Sequence, residues 1–209
     1  MNRYFYHNGF IPIYQKNDEL LDLMERSIDA FNLMDKFLMK NEYYEVSMVH
    51  CLAQHMNELI RYDYRFRDMY VDIEYNKGAD GNTYAGKYLY NMEGEKDKNI
   101  RLDLVVTSRE YSTLGGYHNL LCAEFKKESN KDGWEDDRWR LQQLTKLDFN
   151  NDEGKDKPLY GYFIGFFVLI NEEKMWIENA YDSFGELPKD IYTGRIMIPD
   201  RRYERYEFR

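Results

Sequence analysis

Two apolar runs that carry charged residues constrain the fold of this chain more than any other feature. The runs begin at Ile100, with "IRLDLVVT", and at Asn119, with "NLLCAEFKK", and their Leu, Val and Ala content is typical of buried strands. Asp103 lies inside the first run, and Glu124 and Lys126 lie near the end of the second. Because side chains alternate across a strand, we expect Glu124 and Lys126 on one face. If the two strands are neighbours, Asp103 and Glu124 converge on one point.

Helical periodicity precedes and follows these runs. Apolar residues recur at helical spacing over residues 18–40, where no Gly or Pro interrupts them, and again over residues 42–60. A third helix is predicted over residues 135–149, directly after the second charged run. Asp136 or Asp137 is expected to serve as the N-cap or first-turn acid of this helix.

The remaining apolar segments predict strands. Residues 68–76 and 174–181 are short runs with strand composition, and residues 157–171 are so apolar that this strand is expected to be buried on both faces. Residues 76–98, rich in Gly, Asn, Asp and Lys, are expected to form a hairpin extension or a loop. The order of elements predicts an α/β fold with a mixed central sheet flanked by helices.

Length and composition indicate one domain. The 209 residues suit a single unit with a core over residues 42–178, an added helix over residues 18–40 and a tail over residues 185–209. The net charge of −9 means that any nucleic-acid partner must be held by a local basic patch or by bound cations. No stretch approaches the roughly 20 apolar residues of a membrane span. Cys51 and Cys122 lie in apolar surroundings typical of reduced core thiols, so we expect a cytoplasmic protein without a membrane partner.

The charged strand residues suggest a chemistry. Two carboxylates that converge in a half-buried site repel each other unless a proton or a cation intervenes. Mg²⁺ prefers oxygen ligands and keeps several waters, so Asp103, Glu124 and the backbone carbonyl of Phe125 would be enough to hold it. Lys126 would then orient an attacking water or neutralise charge on a phosphate, as metal-assisted phosphodiester hydrolysis requires.

A plainer interpretation remains open. An acid and a lysine two residues apart are common at the solvated end of a strand, and they then have no chemical role. On this interpretation the protein is a structural one with chance charges, and Asp103 lies far from Glu124.

Several segments together resemble the PD-(D/E)xK nuclease superfamily, which has the restriction-endonuclease-like fold. An acid inside one strand followed by Glu-x-Lys at the end of the next is the pattern of that superfamily. The likeness extends to the motifs of a group of small, mostly uncharacterised members: "EVSMVHCLA" for the first helix, "VDIEYN" for a strand, "NLLCAEFKK" for the Glu-x-Lys strand, "DRWRLQQLT" for the helix after it and "YGYFIGFFVLI" for the following strand. The chain departs from the pattern at Leu102, where the family usually has Pro, a residue that is not a ligand.

The resemblance implies a role for each matching residue. Asp103 and Glu124, with the Phe125 carbonyl, would bind Mg²⁺ or Mn²⁺, and Lys126 would assist the nucleophilic water. Glu45 would reach the metal from the first core helix, directly or through water.

Three further residues are accessory candidates. Glu74 is an additional acid or an exposed strand residue, and His50 is a hydrogen-bond donor near the site or an ordinary helix histidine. Gln142 faces the site or is simply solvated. The tail from Arg195 mixes Arg with Tyr, which suits a nucleic-acid strand, a self-paired surface or a dimer contact.

The resulting expectation is a Mg²⁺-dependent nuclease that hydrolyses phosphodiester bonds, with DNA as the expected substrate. The alternative is a binding or regulatory module that has kept the nuclease fold and lost the chemistry. A homodimer is compatible with either function.

Overall fold

The structure is a computed structural model. It describes the backbone of residues 5–6, 9–10, 13–41, 44–66, 69–75, 88–90, 96–98, 100–107, 119–146 and 162–199. Side chains are described from residue 17 onwards in these ranges, except for residue 75 and the strands at 88–90 and 96–98.

The described part of the chain contains four α-helices and ten strands. The helices are α1 (Ile13–Met34), α2 (Lys36–Lys40), α3 (Glu45–Arg61) and α4 (Trp134–Thr145), and a short 3₁₀ turn spans Tyr64–Phe66. The strands are β1 (Phe5–Tyr6), β2 (Gly9–Phe10), β3 (Tyr70–Tyr75), β4 (Tyr88–Tyr90), β5 (Lys96–Lys98), β6 (Leu102–Thr107), β7 (Asn119–Lys127), β8 (Ile164–Ile170), β9 (Met175–Asp182) and β10 (Gly185–Glu186).

Six of these strands form one mixed sheet in the order β10-β9-β8-β7-β6-β3. β7 and β8 run parallel, because α4 crosses over between them, and every other neighbouring pair is antiparallel. The predicted mixed sheet flanked by helices is therefore confirmed. β1 pairs with β2 and β4 pairs with β5 in two separate antiparallel ribbons, and the second ribbon gives part of the predicted hairpin extension.

Helices pack on both faces of the sheet. One face belongs to an apolar cluster with α1 and α3, in which Phe31, Leu52 and Phe166 are fully buried. The opposite face belongs to a second cluster with α4, in which Leu141 and Leu144 are fully buried. Every residue of β8 is buried, as its apolar composition predicts for a strand covered on both sides.

The prediction of one continuous helix over residues 18–40 is wrong. The helix begins earlier, at Ile13, and it ends at Met34, before a second short helix, α2, that follows a bend at Asp35. The Asp35 carboxylate lies 2.5 Å from Nε2 of His55 on α3. This contact is made across the fold, so helical periodicity alone does not reveal it.

Gly165 on β8 determines how closely α4 approaches the sheet. A Cβ atom at this position would lie 3.2 Å from Cγ2 of Thr145, 3.3 Å from Cδ2 of Leu141 and 3.4 Å from Sγ of Cys122. These distances are at or below ordinary van der Waals contact, so a larger residue must displace α4 or Cys122. Gly165 thereby holds α4 against β7 and β8.

We predict that Gly165→Val lowers the free energy of unfolding by about 1–3 kcal/mol through overpacking. Thr145→Ser removes the nearest methyl group and keeps the hydroxyl that donates to the carbonyl of Leu141. In the Thr145→Ser background the same Gly165→Val change should therefore cost less, which urea unfolding of the four proteins would measure. An additive pair of substitutions would contradict the close packing of α4 on β8.

Candidate functional site

The site lies where strands β6 and β7 separate. Their register runs from Thr107–Asn119 to Leu104–Ala123, whereas β7 continues to pair with β8 as far as Lys127. At the next position, Oδ2 of Asp103 accepts the backbone N–H of Phe125 at 2.8 Å. The Asp103 carboxylate thus accepts the Phe125 N–H, which a backbone carbonyl of β6 would accept if the two strands stayed paired. This contact fixes Asp103 beside Glu124.

Glu124 is a buried acid with an unsatisfied oxygen. Only 2 % of the residue is exposed, and Oε1 has no hydrogen-bond partner. Burial raises the pKa of Glu124 well above its ordinary value, and the neighbouring Asp103 carboxylate raises it further, against the opposing effect of Arg140. The two acids therefore interact electrostatically, as their positions on adjacent strands predict.

Glu45 reaches the same place from the opposite face of the sheet. It is the first residue of α3, and burial followed by the charge of Asp103 raises its pKa. Lys126 and a hydrogen bond from the backbone of Lys127 act in the opposite direction. The structure thus brings together all four residues that the sequence selects as catalytic: Glu45, Asp103, Glu124 and Lys126.

Helix α4 adds two charged residues that the sequence analysis missed. Asp137 is 2 % exposed, its Oδ2 lies 3.2 Å from Nζ of Lys126, and its Oδ1 forms an ion pair with Arg140. Arg140 also places a guanidinium nitrogen 3.5 Å from Oε1 of Glu124. Asp137 and Arg140 therefore join the site through Lys126 and Glu124.

A signal for Asp137 was present in the sequence. The residue lies four positions before Leu141 and seven before Leu144, on the buried stripe of α4. An acid on such a stripe needs a partner, and the preceding strand carries one in Lys126. The expected N-cap role is wrong, because Gly133 is the N-cap residue and has a positive φ of 76°, whereas the expectation of a first-turn acid is confirmed.

The three accessory candidates make contacts elsewhere. Glu74 is exposed, has a positive φ of 49° and lies 3.5 Å from Arg101. The ring of His50 lies 3.3 Å from the side-chain amide of Gln54, one turn along α3. Gln142 forms a hydrogen bond with the hydroxyl of Tyr181. Of the Arg-rich tail, residues 200–209 lie outside the described part of the chain.

The donor set fits a hard divalent cation in chemical type. Asp103 and Glu124 offer carboxylate oxygens, and Oε1 of Glu124 is buried without a hydrogen-bond donor. Within the described ranges, no group of three or more His, Cys, Asp or Glu side chains has the spacing of a metal site. A metal at this position would therefore be held by Asp103 and Glu124 together with backbone oxygen and water.

Comparisons with known proteins return no match: no family model, no curated protein and no solved structure resembles this chain significantly. Among the described helices, none combines the length and the apolar character that crossing a bilayer requires.

We predict that Glu124 makes the protein less stable as pH rises. Because its pKa is raised on folding, the native state binds more protons than the unfolded state above pH 4.5, the ordinary value for glutamate. The free energy of unfolding should therefore fall as pH increases from 4.5 towards the raised pKa. In Glu124→Gln this component should be missing when urea unfolding is measured across that range in EDTA.

Glu128→Gln is the matched control for this measurement. Glu128 is exposed just after β7, where it accepts a hydrogen bond from Asn171, and its replacement should leave the pH profile of the native protein intact. Parallel profiles for the native protein and Glu124→Gln would show that Glu124 titrates normally.

Proposed function

We propose that this protein is a Mg²⁺-dependent nuclease of the PD-(D/E)xK superfamily, with a restriction-endonuclease-like core, and that it hydrolyses phosphodiester bonds in DNA. The order of elements supports the proposal. The described residues of the five segments that resemble family motifs lie in α3, β3, β7, α4 and β8 or directly precede β8, and the strand with the motif aspartate, β6, lies between β3 and β7 in the sheet.

One observation carries the proposal: Asp103 and Glu124, from two strands that separate at this point, form a coupled pair of acids beside Lys126. Oδ2 of Asp103 is fixed by the Phe125 N–H, and the second carboxylate is buried next to it. Chance charges at solvated strand ends would show neither the burial nor the coupling. Paired acids that hold a divalent ion beside a lysine are one arrangement that supports metal-assisted phosphodiester hydrolysis.

Each residue then has a defined task. Mg²⁺, when bound, would supply Lewis-acid stabilisation of charge on the phosphoryl oxygens. Lys126, held 3.2 Å from Asp137, would donate a hydrogen bond to the attacking water or to a phosphoryl oxygen and so offset the charge that develops during attack. Glu45, whose raised pKa favours the protonated form, would donate a proton to the leaving oxygen at the edge of the site.

A second function is favoured by the position of Arg140. Its guanidinium lies 3.5 Å from Glu124 and already supplies a positive charge to the acid that should bind the metal. A module that binds nucleic acid or a regulatory partner without cleaving it could keep this arrangement permanently. The two functions differ in whether the site takes up a divalent ion.

We predict that Glu124→Gln and Asp103→Asn each lower Mg²⁺-dependent cleavage of DNA by at least about 100-fold, because each removes a ligand charge. Lys126→Met should cause a loss of similar order. Release of acid-soluble nucleotides from labelled single- and double-stranded DNA would measure the effect, and circular dichroism would verify folding. Glu128→Gln and Lys131→Met, which alter exposed residues just after β7, are the matched controls. Cleavage that persists equally in all five variants would exclude this site.

The inactive module makes a different prediction for calorimetry. If the site is a nuclease centre, titration with Mn²⁺ should give binding heat that Asp103→Asn abolishes. If the native protein takes up no Mn²⁺ and cleaves no DNA, but still binds DNA, the non-catalytic function is the correct one.

A further inference from the structure

Arg140 lies between two acids, and neither of them fills all of its hydrogen-bonding positions. It forms an ion pair with Asp137 three residues earlier on α4, and it lies 3.5 Å from Oε1 of Glu124. That oxygen has no hydrogen-bond partner, and the buried Nε of Arg140 has none either. The contact between Arg140 and Glu124 is thus an electrostatic one without the paired hydrogen bonds of a fixed arginine–carboxylate fork.

Asp137 is the centre of this arrangement. One of its oxygens lies near Lys126 and the other near Arg140, and its side chain is 3 % exposed. It therefore competes with Glu124 for the positive charge of Arg140. Because Asp137 and Glu124 are almost completely buried, and the side chains of Lys126 and Arg140 are only 25 % exposed, a change in the charge of one group acts strongly on the others.

We propose that Arg140 neutralises Glu124 in the absence of metal and competes with a divalent metal ion for this carboxylate. The ion pair between Asp137 and Arg140 weakens the interaction of Arg140 with Glu124 and so sets the strength of the competition. This inference rests on the metal site of the proposed function and adds to it a control of metal affinity. Arg140 and Asp137 are positioning residues here, because neither is assigned a contact with metal or substrate.

The physical reason is a balance of charges around one buried oxygen. When both acids are ionised, Glu124 and Asp103 repel each other, and Arg140 partly offsets this repulsion. A divalent ion at the same carboxylates meets repulsion from Arg140, so it binds less tightly than it would to the two acids alone. The pull of Asp137 on Arg140 reduces that repulsion.

The two residues therefore make predictions of opposite sign. Arg140→Gln should tighten Mn²⁺ binding about tenfold, because it removes a cation that repels the metal ion from Glu124. Asp137→Asn should weaken Mn²⁺ binding by a similar factor, because Arg140 is then left to Glu124 alone. If Arg140 and Asp137 only kept the site folded, each of the two substitutions would weaken Mn²⁺ binding.

Isothermal titration of the full chain with Mn²⁺ alone would measure these affinities. The rise in thermal unfolding temperature on adding Mn²⁺ is a second readout, and it should be larger for Arg140→Gln than for the native protein. Arg138→Gln is the matched control: this arginine lies on the same helix and pairs with Glu135, so its loss should leave the Mn²⁺ affinity within about twofold of native. Circular dichroism in EDTA would verify that each variant folds.

The outcomes separate this inference from the proposed function. Tighter binding by Arg140→Gln with weaker binding by Asp137→Asn supports the inference even if no cleavage of DNA is found, in which case only the nuclease function fails. Binding that appears in Arg140→Gln but not in the native protein also supports it, and indicates the non-catalytic module. Equal or weaker binding by Arg140→Gln, or no Mn²⁺ uptake by any variant, overturns the inference.

Discussion

The acceptance of the Phe125 N–H by the Asp103 carboxylate is the interaction on which the site depends. It occurs directly beyond Leu104–Ala123, the end of the β6–β7 register, while β7 remains paired with β8. A backbone donor in this position would be costly if left unpaired. Because Asp103 accepts this N–H, the two strands separate without leaving a backbone donor unpaired. The Asp103 carboxylate is then held at the point where the strands separate. One hydrogen bond thus satisfies a backbone donor where the β6–β7 register ends and positions an acid at the same point.

Two helices complete the site from opposite faces. α3 brings Glu45 at its first residue, and α4 brings Asp137 and Arg140 on the stripe that also buries Leu141. The approach of α4 depends on the missing side chain at Gly165, since any Cβ there would press on Thr145 and Leu141. The packing of α4 against β8 thus determines where Asp137 and Arg140 lie beside β7. A packing residue such as Gly165, which is not one of the charged residues of the site, is therefore expected to influence the properties of the site.

The sequence was sufficient for the layered fold and for part of the site. Alternating or continuous apolar runs predicted β7 and β8, and the placement of acids inside such runs selected Asp103 and Glu124, because burial of a charge is too costly to be incidental. Glu45 was selected only through the resemblance to a family motif. The bend at Asp35 and the ion pairs of Asp137 and Arg140 were missed. Each depends on a partner distant in sequence or on another element, such as His55 for Asp35 and Lys126 for Asp137, and periodicity carries no information about such partners.

The charges of the site also bear on how it would meet a substrate. The site contains four acids, Glu45, Asp103, Glu124 and Asp137. Among the described residues, Lys126 and Arg140 form ion pairs with Asp137 or Glu124, and the charges of Lys126 and Lys127 act on Glu45. With every acid ionised, this group carries an excess of negative charge, within a chain whose net charge is already −9. A phosphodiester would be repelled from such a group, so the proposed nuclease must take up cations before its substrate. Burial, and after it the charge of Asp103, raises the pKa of Glu45 and of Glu124, so both acids favour protons when no metal is bound. The local charge therefore imposes an order of binding on any phosphodiester chemistry at this site.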